Sequence, residues 1–308
     1  MVYTLTFCPG LEYAASVDEI SVGADNLISD GNLRVSGSGA IISQLLGELG
    51  VPSTVMGFAA GFTGGEVEEI LRGRGVNTDI VYLEKGLSPL NMVLDNGEKL
   101  TRFSAGPLDI SYDELMSLFA RLERIKDGDA LVLSGEVPPS IPADVYSFVP
   151  DTFAGKNVRV ILDVPAEPLA KCLKLQPFLV VTDCKRLGEI FGEPPETEEQ
   201  IIAYISAIQE MGAQNVLVFP GDDDIITLLD SDKNILRQPL PPGAPLDDIA
   251  LNSLTAGFIM GCEDNDVDNR YSLILAASAA RSAAIRKRVP SKSDVISVMK
   301  DLMKSHSY

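Results

Sequence analysis

The feature that most narrows the fold is an alternation that runs along almost the whole chain. Short runs of β-branched and aliphatic residues are each followed by a stretch whose apolar residues recur at helical spacing. Residues 2–7 predict a strand that Cys8-Pro9-Gly10 ends, and residues 40–49 predict a helix with Ile41, Ile42, Leu45 and Leu49 on one face. A strand over 54–58 and a helix carrying Val67, Ile70 and Leu71 repeat the unit. Strands over 130–134, 158–163, 178–181, 216–219 and 225–229 continue it, with helices predicted after Ser111 and over 143–153, 167–173, 185–191 and 197–211. Ser111-x-x-Glu114 and Thr197-x-x-Gln200 have the spacing of capping boxes, so those two helix starts are well marked. The last third reads as helices over 252–262, 273–286 and 291–303. Repeated β-α units predict an α/β fold with a doubly wound, mostly parallel sheet flanked by helices, and ligands of such sheets bind beyond the carboxyl ends of the strands.

Two stretches break the alternation. Residues 11–35 read as short strands with turns at Gly23, Asp25, Asn26 and Gly31, and residues 87–105 carry two extended runs around Asn96-Gly97, a hairpin signal. Paired together they would form a small β-sheet lid. The chain then divides into a main domain, 1–10, 36–86 and 106–308, and lid inserts at 11–35 and 87–105. A homodimer through the lid is one assembly this allows.

Charge and composition remove several function classes. A net charge of −19 leaves no basic face for nucleic acid or an anionic membrane. With His306 the only histidine, a Ser/His/Asp triad and histidine-ligated metal sites are excluded, and no residues are assigned to a metal. The four cysteines lack metal-ligand or redox spacing, no apolar run reaches membrane-spanning length, and 2–7 has no basic stretch before it, so a soluble, cytoplasmic protein is expected.

Residues 245–261, PLDDIALNSLTAGFIMG, run from a polar turn into a small-residue helix near the end of the alternation. A helix N-terminus there aims unpaired N–H groups and a positive dipole end forward, as an anion site requires. Yet 248–253 contains no glycine to let a phosphate approach the backbone closely.

Several segments together resemble the ribokinase-like (PfkB) carbohydrate kinases, in the branch of 1-phosphofructokinases and tagatose-6-phosphate kinases. TFCPGLEY resembles that branch's T-L-N-P-A-x-D-Y, VSGSGAIIS its P-G-G-K-G-I-N-V-S, and GFTG matches outright. LSGEVPPSIPADVY resembles L-S-G-S-L-P-P-G-x-P-x-x-x-Y, PFLVVTDCKRLGEIFG resembles P-F-L-I-K-P-N-x-x-E-L-x-x-L-F-G, and VLVFPGDDD resembles V-V-V-S-L-G-x-x-G. The 245–261 stretch resembles the signature G-A-G-D-S-x-x-A-G-F.

The resemblance implies a ribokinase-like fold, ATP and Mg²⁺ as cofactors, and a sugar or sugar phosphate as acceptor. It implies substrate contacts at Glu12, Gly37, Ser38, Gly39 and Asn91, and cofactor contacts at Asp183, Arg186, Gly221, Asp224, Ala250 and Leu251. The family's aspartate base falls on Asn252, and an amide cannot take a proton. The small residues before that base fall on Ile249, Ala250 and Leu251. The glycine-rich motif's lysine is Ser38, its asparagine Ile41, the substrate arginine Pro89, the serine of S-G-S-L-P Glu136, and N-x-x-E reads Asp183-x-x-Arg186. Asp222, Asp223 and Asp224 crowd the nucleotide segment with like charge. Three readings stay open: a kinase with impaired or absent activity, or one rearranged so that Asp248 serves as base; a non-catalytic ligand- or protein-binding pseudokinase; and a kinase for a different sugar or nucleoside.

Overall fold

The fold was read from a computed structural model that describes residues 1–153, 155–219, 224–263 and 268–305, without the side chains of Pro150 and Ser305. The chain opens with β1 (Val2–Leu5), then β2 (Gly10–Ser16) and β3 (Ser29–Ser36), before α1 (Ser38–Leu49), β4 (Ser53–Ala60), α2 (Gly61–Gly73) and β5 (Asn77–Leu83). A hairpin, β6 (Leu90–Asp95) and β7 (Leu100–Phe103), follows, its turn passing through Gly97 at φ +84°. Then come α3 (Tyr112–Leu122), β8 (Ala130–Ser134), β9 (Arg159–Asp163), α4 (Ala166–Cys172), β10 (Leu179–Thr182), α5 (Cys184–Phe191) and α6 (Glu198–Glu210). The chain closes with β11 (Asn215–Val218), β12 (Ile225–Leu229), β13 (Ile235–Pro239), α7 (Asp248–Glu263), α8 (Asn269–Arg286) and α9 (Lys292–Ser305).

The large sheet runs β13-β12-β11-β10-β9-β8-β1-β4-β5, parallel from β5 to β11 and antiparallel at β12 and β13. Period-two alternation sorts each strand between two cores. In β8, Leu131 and Leu133 join Leu118 of α3 and Leu187 of α5, whereas Ala130 and Val132 join Leu45 of α1, Leu254 of α7 and Ala276 of α8. A sheet buried on both faces by helices is the doubly wound architecture. Helices α7 and α8 approach closely because a Cβ on Gly257 would lie 2.7 Å from the Leu275 carbonyl oxygen. The remaining strands form a separate four-stranded sheet ordered β3-β2-β6-β7.

Both capping boxes are in place. Ser111 N–H donates to Glu114 Oε2 at 2.7 Å and Thr197 N–H to Gln200 Oε1 at 3.1 Å, each answered by the reverse bond to the hydroxyl. The helix expected over 143–153 is replaced by two short 3₁₀ turns, Val145–Ser147 and Val149–Phe153. Pro150 supplies no N–H to continue an α-helix, and Ser147 and Thr152 turn their hydroxyls onto the Asp144 and Val149 carbonyls. Strand β13, which the sequence did not signal, pairs with β12 over Ile235–Pro239 and ends the sheet at an edge where a proline is tolerated. Among the described residues no helix is long and apolar enough to cross a membrane.

Candidate ligand cleft

A cavity of about 930 Å³ opens beyond the carboxyl ends of β1, β8, β9 and β10, between the large sheet and the small one. Its walls bring together Glu12, Gly37, Ser38, Asn91, Asp183, Arg186, Asp248, Leu251 and Asn252 from distant parts of the sequence. Glu136 and Pro89 line it too. Gly37 caps α1 at φ +105°, a conformation that favours glycine. Gly39 is fixed by packing. Its N–H donates to Thr6 Oγ1 at 2.7 Å, and a Cβ there would lie 2.6 Å from that oxygen and 3.0 Å from Ser134 Oγ. Asn91 Oδ1 accepts from Ala105 N–H at 3.0 Å, so one side of the amide is committed to the chain.

At the N-terminus of α7 a carboxylate of the chain itself takes the Ala250 N–H. Asp247 Oδ1 accepts from Ala250 N–H at 2.9 Å, as an N-cap does, and the Asp247 carbonyl accepts from Leu251 N–H at 2.9 Å. Ala250 is fully buried and does not reach the cavity, whereas Ile249 and Leu251 place aliphatic side chains on its wall. Asn252, 7% exposed, donates its amide to the Asp248 carbonyl at 2.6 Å. The Asp248 carboxylate is exposed and faces Arg102 Nη1 at 3.3 Å.

The other cations of the cleft are committed in the same way. Glu12 Oε1 accepts from Arg34 Nε at 2.8 Å and from its Nη2, while Glu12 Oε2 lies 3.9 Å from Arg102 Nη1. Arg186 Nη1 binds Asp163 Oδ1 at 2.8 Å, its Nε lies 3.3 Å from Asp183 Oδ2, and Asp183 also caps α5 through Arg186 N–H at 2.8 Å. Burial works against the Arg186 charge, but the Asp163 carboxylate, together with Asp183 and Glu136, more than offsets it and raises the guanidinium pKa above the ordinary arginine value. Lys185 Nζ sits 3.7 Å from Glu189. Only Glu136, among the described carboxylates of the wall, makes no ion pair or hydrogen bond.

In the nucleotide segment, Gly221 lies outside the described residues, as do Asp222 and Asp223. Asp224 stands outside the cavity at φ +54°, its carboxylate 3.7 Å from Nη2 of the buried Arg281. Among the described residues no cluster of three histidine, cysteine or acidic side chains is placed to hold a metal ion. Sequence reasoning missed Arg34, Arg102 and Asp163 as parts of this site. Glu12 and Arg34 meet because the β2–β3 register sets them opposite each other, a pairing with no sequence signal of its own.

The profile described as "pfkB family carbohydrate kinase" matches residues 12–250. The 1-phosphofructokinase of Bacillus subtilis is 30% identical over 262 residues, 85% of this chain and 85% of that protein. The D-tagatose-1-phosphate kinase of Bacillus licheniformis is 30% identical over 229 residues, 74% of this chain and 75% of that one. Among solved structures, the phosphofructokinase-2 of Escherichia coli in complex with substrates and products superposes with a TM-score of 0.90 at 21% identity, covering 98% of this chain and 99% of that one. At that identity the likeness is one of fold.

Proposed function

The chain belongs to the pfkB family of carbohydrate kinases, and we propose that it is by descent a 1-phosphofructokinase-like sugar-phosphate kinase, with its own phosphoryl transfer impaired or absent. The observation that carries this reading is the N-terminus of α7. Where the resemblance puts a proton-accepting carboxylate, Asn252 donates its amide to Asp248, and the N–H of Ala250 is spent on Asp247. The charge of an incoming phosphate would meet Asp247 instead of free donors.

ATP and Mg²⁺, which the family resemblance implies, do not fit the groups present. Asp163 and Asp183 could bind a divalent cation only after expelling the Arg186 guanidinium that bridges them. Ser38 and Pro89 supply no cation to a substrate phosphate, and Glu136 faces the cleft as an added negative charge. A cleft that persists without this machinery supports a second reading, a pseudokinase that binds a small molecule such as a sugar. The exposed Leu33, Leu90 and Phe103 of the small sheet support a homodimer through that sheet.

Titration calorimetry with ATP and Mg²⁺ at physiological salt tests the proposal. No micromolar affinity is expected, and a micromolar dissociation constant would refute the view that the anion site is already filled.

A further inference from the structure

We propose that the small sheet is latched over the cleft by ion pairs and a hydrogen bond from the chain's own side chains, so that a ligand enters only when this latch opens. Three ties cross from the small sheet to the large domain. From β7, Arg102 Nη1 reaches Asp248 Oδ2 in the first turn of α7 at 3.3 Å. From β3, Arg34 Nη1 donates to the Lys287 carbonyl at 2.8 Å. From β6, Asp95 Oδ2 accepts from Lys287 Nζ at 2.6 Å. The fourth strand, β2, couples the two arginines, because Glu12 binds Arg34 through one oxygen and faces Arg102 at 3.9 Å with the other. Each strand of the small sheet thus contributes a charged side chain to one connected arrangement.

Two features make this more than scattered surface pairing. Lys287 caps α8 at φ +51°, where the helix ends, so its carbonyl is available to Arg34 and its ammonium to Asp95 from the same residue. Arg102 stands between Glu12 and Asp248 on the wall of the cleft, beside the first turn of α7. Any ligand that used Asp248 would first have to displace Arg102. The latch stands whether or not the protein transfers phosphate, so its failure and that of the proposed function are separable.

Cys8 lines the cleft and Cys172 is fully buried in the core, which gives a reporter of opening and an internal reference for unfolding. The experiment follows maleimide labelling of each cysteine by peptide mass spectrometry, in the full chain without ligand, at low and high sodium chloride. An exposed ion pair contributes about 0.2–1 kcal/mol, so Arg102→Gln and Lys287→Gln should each speed Cys8 labelling about 1.4- to 5-fold. Asp248→Asn together with Arg102→Gln should be no faster than the faster single variant, and high salt should speed the unaltered protein while Cys172 stays unchanged. Cys8 rates indifferent to salt and to both substitutions would overturn the latch. So would a parallel rise at Cys172, which marks general unfolding.

Discussion

Asn252→Asp should leave the protein without appreciable phosphorylation of fructose-1-phosphate, fructose-6-phosphate or tagatose-6-phosphate in a coupled assay. The substitution supplies a carboxylate but not the setting it needs. Asn252 now donates to the Asp248 carbonyl at 2.6 Å, and a carboxylate there has no proton to donate and is turned away by that oxygen. Ala250 N–H would still be held by Asp247, and Ile249 and Leu251 would still crowd the wall. A general base contributes about 10²–10⁴-fold and each anion-hole donor about 10²–10³-fold, so restoring the first without the second leaves most of the deficit. Returning 249–252 to glycine, alanine, glycine and aspartate should recover only part of the activity, with Ser38 and Pro89 leaving the acceptor phosphate unheld. If Asn252→Asp alone phosphorylated a sugar phosphate well above background, the account of Ile249–Leu251 would be wrong. A base at Asp248 is the competing arrangement, and there Asp248→Asn abolishes activity and Asn252→Asp changes little. The Arg102 ion pair counts against it, because it occupies that carboxylate with a cation.

Arg186→Ala should destabilise the fold by about 3–5 kcal/mol, read as a lower urea midpoint at unchanged slope. Asp163 is 5% exposed, and its carboxylate has Arg186 at 2.8 Å and only a long bond from Thr255 at 3.4 Å. Removing the guanidinium leaves a buried charge with little compensation, the costliest way to break such a pair. Arg186→Lys keeps the charge but loses the fork that reaches both Asp163 and Asp183, so it should recover part of the loss. A loss below about 1 kcal/mol would mean that the pair is solvent-screened like an exposed one and that Asp163 and Asp183 are free for another cation.

The large sheet was legible because its signals are local. Strands such as Ala130–Ser134 and Ile225–Leu229 announce themselves as apolar runs, and helices α3 and α6 begin at capping boxes whose partners lie three residues apart. Residues 143–153 misled because apolar spacing looked helical while Pro150 denied the turn its N–H, a case of one backbone donor outweighing a pattern. The cleft was half legible. Motif order located Glu12, Ser38, Asp183 and Asn252 on one cavity, but the partners that determine their state come from across strands and domains. Arg34 reaches Glu12 through register, Arg102 reaches Asp248 between two sheets, and Asp163 reaches Arg186 from the neighbouring strand. Gly39 carries a constraint that its motif does not announce: the buried Thr6 and Ser134 hydroxyls beneath it leave no room for a Cβ.

The central claim is that the site's own side chains have taken the places of base, anion and cation. The most direct test is the steady-state turnover of the unaltered protein with saturating ATP, Mg²⁺ and fructose-1-phosphate. The account predicts a rate at least about 10⁴-fold below the roughly 1–100 s⁻¹ usual for kinases, from the combined loss of base and anion-hole donors. Turnover within that usual range would contradict it.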